Sequence, residues 1–401
     1  MHRSTKIIAT LGPASSDKEI IKKLAEAGAN LFRLNFSHGS HDDHASRVHI
    51  IREIEQELGH SLGILADLQG PKFRIGALPS PIELMVGQII CLHLPDARYP
   101  EASEYTHAVA LPHSEIFDAL HPQASILMDD GKLRLNVLSL GKGYALAEVS
   151  QGGELTSRKG INLPDAELAI SPLTEKDILD LEFALSLEVD YIALSFVQKA
   201  SDILEAKAKI AGRSHIIAKI EKPSALEEID DIIRASDAVM VARGDLGVES
   251  PAERVPAIQK TLIAKCRRVG KPVIIATQML ESMISSATPT RAEASDVAGA
   301  VFEGADAIML SAESASGRYP LEAVTMMAKI AVAAEQHIQL NPEDGPAHLD
   351  VEPTIYHAVA EAAVRLAEAI DAAAIIAFTA SGNTAVRLAR ERPKRPLLVP
   401  P

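Results

Sequence analysis

Tryptophan is absent from the 401 residues, and all aromatics together make up only 3%. The core must therefore be aliphatic, which a hydrophobic fraction of 47% can supply. Cysteine is scarce, at Cys91 and Cys266 only. Two cysteines argue against a disulfide framework and fit a reducing, cytoplasmic setting, with both as inert packing residues. Positive charge is in deficit, with a formal net charge of -14. That argues against a nucleic-acid binder. It also means that an anionic substrate would need a local basic site. No uncharged apolar run is long enough to cross a bilayer. The opening MHRSTKIIAT lacks the shape of a secretory leader. There is no G-x-G-x-x-G fingerprint of a dinucleotide fold.

What is present is a chain organised around His215 to Glu249. Two short apolar runs, HIIAKI and AVMVAR, flank an amphipathic segment from Ser224 to Ala235. The pattern reads as a strand, a helix and a strand. Each strand ends in charge: Lys219 and Glu221 on the first, Arg243 and Asp245 on the second. Residues two apart on an extended chain point the same way, so Lys219 and Glu221 share a face. Gly244 lets the backbone itself approach a ligand. Two carboxylates beside a lysine suit a divalent cation bound next to an anion, and oxygen ligands favour magnesium or manganese over zinc. A surface salt-bridge cluster is the alternative reading.

The same alternation continues on either side. Thr5–Thr10 is a buried-type strand, followed by the Gly12-Pro13 break and a helix capped by Ser16 or Asp17 through Ala27. Asn30–Phe36 is the second strand and leads into Ser37 and His38. A helix spans about His41 to Leu58, and the third strand is Leu62–Leu68. From Gln69 to about Leu163 helical periodicity fades into short alternating runs, which read as a small all-β insertion. Helices and strands then alternate again from Thr174, with YIALSF, HIIAKI, AVMVAR, PVIIAT and AIMLSA as strands. Three strands precede the insertion and five follow it. Eight βα units predict a closed (β/α)8 TIM barrel, with an open doubly wound sheet as the alternative. The barrel gathers Thr10, Arg33, Asn35, Asp67, Ser195, Lys219, Glu221, Asp245 and Thr277 at one mouth. The insertion leaves at that mouth and becomes a lid. The expected divisions are 1–69 with 164–340 for the barrel, 70–163 for a small β-barrel lid, and 341–401 for a partial C-terminal α/β domain. The last begins with the polar linker NPEDGPAHLDVEP. Within it, Thr379, Ser381, Gly382, Asn383 and Thr384 form a loop before a helix start, a plausible phosphate nest for an effector or a plain capping turn. Spacing of His38, His41 and His44 could suit a metal, but no cysteine partner lies nearby.

The stretches KIIATLGPAS, LFRLNFSHG, ADLQGPKFRIG, KGINLP, AKIEK, VARGDLGVE, IIATQMLESM, PTRAEASDVA and SAESASGRYPLEAV closely resemble pyruvate kinase, in family order over essentially the whole chain. The resemblance implies a barrel, a lid and a C-terminal α/β domain. It implies transfer of a phosphoryl group from phosphoenolpyruvate to ADP, giving pyruvate and ATP in glycolysis. Arg33 would then contact the substrate phosphate, and Lys219 would stand beside the phosphoryl group in transit. Glu221 and Asp245 would hold Mg²⁺ (or Mn²⁺). The backbone at Gly244 and Asp245, with the Thr277 hydroxyl, would receive the substrate carboxylate. Arg74 and Lys159 would meet the nucleotide phosphates, with His38 and Asn35 near the nucleotide. Asn35, Ser37 and Asp67 match the family's potassium-ligand positions.

Two departures stand out. Potassium-dependent members carry Glu after the Gly-Pro of the third-strand motif, where this chain has Lys72, and Leu68 stands in place of the family's Thr. The expectation is that Lys72 serves the cation cavity and that K⁺ is dispensable, the alternative being that Lys72 joins the nucleotide-phosphate cluster. The C-terminal domain is also shorter than the family's. The family's tetramer would reduce to a dimer if that shortening is real. A Mg²⁺-enolate lyase or aldolase on a related barrel is a competing reading, but it needs neither the lid nor the pair Arg74 and Lys159. A catalytically impaired homologue is another, and the intact set Arg33, Lys219, Glu221, Asp245 and Thr277 opposes it.

Overall fold

A computed structural model describes residues 3–164, 170–346 and 354–400. The part of the expected linker from 347 to 353 lies outside the described residues. Eight parallel strands close into a barrel: Lys6–Leu11, Leu31–Asn35, Gly63–Asp67, Tyr191–Leu194, His215–Ile220, Ala238–Ala242, Val273–Ala276 and Ala307–Leu310. Each is a nearly continuous apolar run because both of its faces are covered. Inward-facing Ile8, Leu65, Ile217, Met240, Ile274 and Met309 fill the barrel, so it is a packed core rather than a pore. Outward-facing residues such as Phe32, Ile64, Ile192 and Ile308 pack against the surrounding helices.

Local signals set the helix ends. Asp17 caps Lys18–Ala27 by accepting from Glu19 N–H, and Ser40, Thr174 and Thr290 each open a helix through a reciprocal capping box. The alanine-rich helix Pro320–Leu340 buries Ala323, Ala331 and Ala334 against the core. Two segments differ from expectation. The single helix expected over Ser224–Ala235 is a short 3₁₀ turn, Pro223–Leu226, followed by a helix over Ile229–Ala235. Pro223 fits the first turn of a helix, while Glu228, with ψ 20°, leaves helical geometry and restarts the chain. Beyond Ala242 the chain turns at once into a short helix, Arg243–Glu249, which carries Asp245 in its first turn.

The expected small β-barrel is a curled six-stranded sheet with a two-stranded ribbon and a short helix, Ser114–Ala119. Its own core contains Ile90, Leu92, Val109, Ile126, Leu135 and Val149. The chain enters it through Gly70, whose φ is +68°. A side chain there would meet the Phe196 ring at 2.7 Å, so glycine is required on both counts. The hinge is pinned by Asp177, which accepts from Gly70 N–H at 3.1 Å while also capping its own helix.

At the C-terminal side, helices Ile355–Ala369 and Asn383–Arg390 flank a short parallel pair, Ile375–Ile376 with Leu397–Leu398. Arg392 ties this unit to the barrel through Asp306 at 3.0 Å. Among the described residues, no helix is long and apolar enough to cross a membrane.

Candidate active site

The carboxyl ends of the strands bring six of the nine expected residues into one bonded chain of alternating charge. Thr10 donates to Leu310 O at 2.8 Å and accepts from Arg33 Nη1 at 3.2 Å. Arg33 Nε binds Asp67 Oδ2 at 2.6 Å. Asp67 Oδ1 faces Lys219 Nζ at 3.1 Å, and the same ammonium meets Glu221 Oε1 at 2.8 Å. Lys219 also donates to Ser195 Oγ at 2.7 Å, and the Ser195 hydroxyl in turn donates to Leu68 O. Glu221 Oε2 accepts from Phe196 N–H at 2.8 Å. Asp67 and Glu221 side chains are each only 1% exposed and Lys219 is 11% exposed. Charges this buried persist only because each has an opposite neighbour.

Burial alone would raise the Asp67 carboxyl, but Lys219 and Arg33 hold it below its ordinary value. For Lys219, burial disfavours the charge, yet Asp67 and Glu221 prevail and keep the ammonium firmly protonated. Burial, and then the charge of Asp245, push the Glu221 carboxyl up to about 7 against the pull of Lys219. The repelling carboxylates of Glu221 and Asp245 fit a cation that keeps water and substrate oxygens in its remaining positions. That is the habit of Mg²⁺. Among the described residues no group of three or more His, Cys, Asp and Glu could hold a metal, so an all-protein cage is not formed.

Thr277 and Asp245, the seventh and eighth, are linked through Gly244, which precedes Asp245 and bonds Thr277. Gly244 N–H donates to Thr277 Oγ1 at 2.7 Å, and Oγ1 donates to Ala276 O at 2.6 Å. Thr277 and Gln278 both lie in the left-handed region, with φ +69° and +53°. Asp245 borders a cavity of about 310 Å³ between barrel and lid. Lys72, Arg74, Asp129 and Lys159 line its lid side, and Lys222 and Glu249 its barrel side. Lys159 is paired with Asp129 at 2.6 Å, and Arg74 donates to Arg158 O at 3.0 Å.

Asn35, the ninth, is the register partner of Asp67, and its Oδ1 accepts from Ser37 N–H at 3.1 Å. Lys72 is exposed, and Asp67 draws its neutralisation from Arg33 and Lys219 instead. His38 is exposed and outside the cavity lining. His41 stacks on Phe183 and pairs with Asp180, while buried His44 stacks on Phe36 and bonds His38 O. Their packing accounts for the histidine spacing. In the C-terminal loop, Gly382 takes the capping position with φ +76° and no side-chain cap.

Sequence reading missed the lid-to-barrel contact. Asn162 donates to Glu249 at 2.9 Å, and Lys222 stands 3.7 Å from the other oxygen of the same carboxylate. Burial raises that carboxyl. Lys222 and Glu249 close the stretches AKIEK and VARGDLGVE, and that placement was the available signal. Both cysteines are buried and free, and burial raises both thiols, in keeping with inert packing.

Fold and site together define a barrel enzyme of the phosphotransferase class. Family models described as pyruvate kinase, barrel domain, and pyruvate kinase, alpha/beta domain, match residues 2–324 and 357–400. A pyruvate kinase of Agrobacterium vitis is 52% identical over 400 residues, covering 99% of this chain and 83% of that protein. One from Methylorubrum extorquens is 49% identical over 392 residues, covering 98% and 81%. A crystal structure of a pyruvate kinase from Cryptosporidium parvum superposes with a TM-score of 0.90 at 35% identity, over 99% of this chain and 83% of that one. The chain belongs to the pyruvate kinase family, which uses phosphoenolpyruvate and ADP and generally needs Mg²⁺ and K⁺.

Proposed function

We propose that this chain makes pyruvate and ATP from phosphoenolpyruvate and ADP with the residues at the barrel mouth. The buried sequence Arg33–Asp67–Lys219–Glu221 is the observation that carries the reading. It presents two fixed cations beside a carboxylate pair, which is what an anionic substrate and its metal require. In the reaction, the bond from phosphorus to the enol oxygen breaks as one forms to a β-phosphate oxygen of ADP. The electron pair remains on the enolate, which then takes a proton from solvent at carbon. Such transfer needs positioning and charge neutralisation more than covalent help. Arg33 orients the phosphate, and Lys219, a compact point charge, faces both the moving group and the enolate oxygen. Glu221 and Asp245 would hold Mg²⁺, which would supply charge neutralisation at those oxygens. Gly244, Asp245 and Thr277 receive the carboxylate. Thr277 organises a water-mediated proton route, its own hydroxyl being too weakly acidic to act alone. Arg74 and Lys159 take the nucleotide phosphates, with His38 and Asn35 near the nucleotide, and Lys159 exchanges Asp129 for phosphate on binding.

Asn35, Ser37 and Asp67 form the monovalent-cation position. Leu68 offers no side-chain ligand there, and Arg33 and Lys219 already neutralise Asp67, so activity is largely independent of K⁺. The units divide at 1–69 with 164–340, 70–163 and 341–401. The assembly is a homo-oligomer in the cytoplasm, and the Thr379–Thr384 loop is the candidate effector nest. A lactate-dehydrogenase-coupled assay with phosphoenolpyruvate, ADP and Mg²⁺ tests the activity. NADH oxidation that requires all three is expected. Its absence in folded protein would refute the reading and leave the impaired-homologue alternative.

A further inference from the structure

We propose that Arg243 is a positioning residue for the proton step, acting as a clamp on the Thr277–Gln278 turn. The proposal rests on the role assigned to Thr277 above. Two consecutive non-glycine residues hold left-handed backbone there, one of them β-branched. Such geometry persists only where the surroundings impose it. The Arg243 guanidinium supplies that constraint. Its Nη2 donates to Thr277 O at 2.8 Å and to Gln278 O at 3.0 Å, and Nε adds a longer bond to Thr277 O at 3.3 Å. Nη1 is fixed from the far side by Asp296 at 2.7 Å, with Gln259 at 3.4 Å. Met279 Sδ lies against Nη2 at 2.8 Å.

The next residue completes the grip. Gly244 N–H holds Thr277 Oγ1, so Arg243 and Gly244 secure the carbonyl and the hydroxyl of one threonine together. A Cβ at Gly244 would stand 3.3 Å from Oγ1, so a side chain there would press on the threonine hydroxyl. Asp245 follows directly, so the metal-side carboxylate and the threonine hydroxyl hang from one backbone segment. The Arg243 side chain is only 10% exposed, and its donors are taken up by Thr277, Gln278 and Asp296, so it is not assigned as a substrate ligand. Its planar fork binds two carbonyls and a carboxylate at once, a task a lysine ammonium cannot repeat. Without it the turn relaxes toward ordinary backbone, and the Thr277 hydroxyl leaves its place. The enolate would still form but would be protonated slowly.

Arg243→Lys and Asp296→Asn test this, with Thr277→Val as reference. Pyruvate methyl-proton exchange is followed by NMR in D₂O with Mg²⁺ and inorganic phosphate, beside kcat, KM and the solvent isotope effect on kcat in the forward assay. Arg243→Lys should lose exchange on the order of tenfold or more, as for one lost charged donor. The KM for phosphoenolpyruvate should stay within about twofold, and a solvent isotope effect should emerge as protonation becomes limiting. Asp296→Asn should shift the same readouts in the same direction by less, and it keeps the test open if Arg243→Lys fails to fold. Exchange kept in Arg243→Lys but lost in Thr277→Val would overturn the clamp and leave the role of Thr277 standing. Exchange kept in Thr277→Val would overturn both. Equal loss of transfer and exchange in Arg243→Lys, without an isotope effect, would reduce Arg243 to a structural residue.

Discussion

Replacing Lys219 by Met keeps the length of the side chain and removes the charge that joins two buried carboxylates. The wild-type ammonium sits 2.8 Å from Glu221 and 3.1 Å from Asp67. Breaking a buried pair by deleting one partner costs about 3–5 kcal/mol. Two features lower the figure here. Arg33 continues to neutralise Asp67 at 2.6 Å, and Glu221 can take up a proton. We therefore expect about 3 kcal/mol of lost stability at alkaline pH, shrinking as the pH falls and Glu221 becomes neutral. Phosphoryl transfer should fall on the order of 10²-fold or more, as when a preorganised donor is removed. Pyruvate proton exchange should suffer less, because Thr277 and its clamp are untouched. Urea unfolding at several pH values gives the first quantity, and the coupled assay and NMR exchange give the others. A stability loss independent of pH, together with equal loss of both activities, would refute the reasoning and make Lys219 a structural residue.

Glu221→Gln and Asp245→Asn should each fold and show sharply reduced kcat, and full activity of either at limiting Mg²⁺ would remove that residue from the metal site. The folded Glu221 carboxyl lies at about 7 against an ordinary 4.5, so the folded state binds the extra proton between those values. Its contribution to metal-free stability is present at low pH and is lost as the pH rises from 4.5 through 7; the difference in urea midpoints between wild type and Glu221→Gln should follow that sign. Mg²⁺ binding near pH 6.5 should release protons, measured by calorimetry in buffers of different ionisation enthalpy, and Glu221→Gln should release none. K⁺ titrated against tetramethylammonium at constant ionic strength should change the activity little. Strong K⁺ activation of the unmodified chain would defeat the argument. Light scattering should report a homo-oligomer; a monomer at assay concentrations would remove assembly from the reading.

The barrel was legible because buried parallel strands leave uninterrupted apolar runs, and charges at their ends, such as Lys219 and Glu221, mark the mouth. Local chemistry also fixed the ends of helices such as His41–Leu58 and Val255–Val269. What was not legible depended on distant partners. The restart at Glu228 and the helix over Arg243–Glu249 follow from backbone geometry that periodicity does not encode. Asn162 and Glu249 are 87 residues apart, and Arg243 reaches Asp296 across 53. Arg243 was visible as a charge at a strand end, but its task was not, because the carbonyls it binds have no sequence signature. Lys72 was expected near Asp67 because five residues separate them. The chain instead turns outward at Gly70 and leaves its ammonium exposed in the cleft.

The line of alternating charges through Arg33, Asp67, Lys219 and Glu221 also constrains how the sequence can drift. Each interior member answers for two neighbours, so a change that is mild in isolation strands a charge on either side. The effects of such changes should be strongly non-additive, since contacting members of one network share their energy. A lineage leaving this arrangement would have to replace opposite charges in the same generation or pass through forms that neither fold well nor turn over. Surface residues a few ångströms away carry no such obligation. The barrel mouth is therefore a valley with steep walls in sequence space, and escape from it requires paired steps.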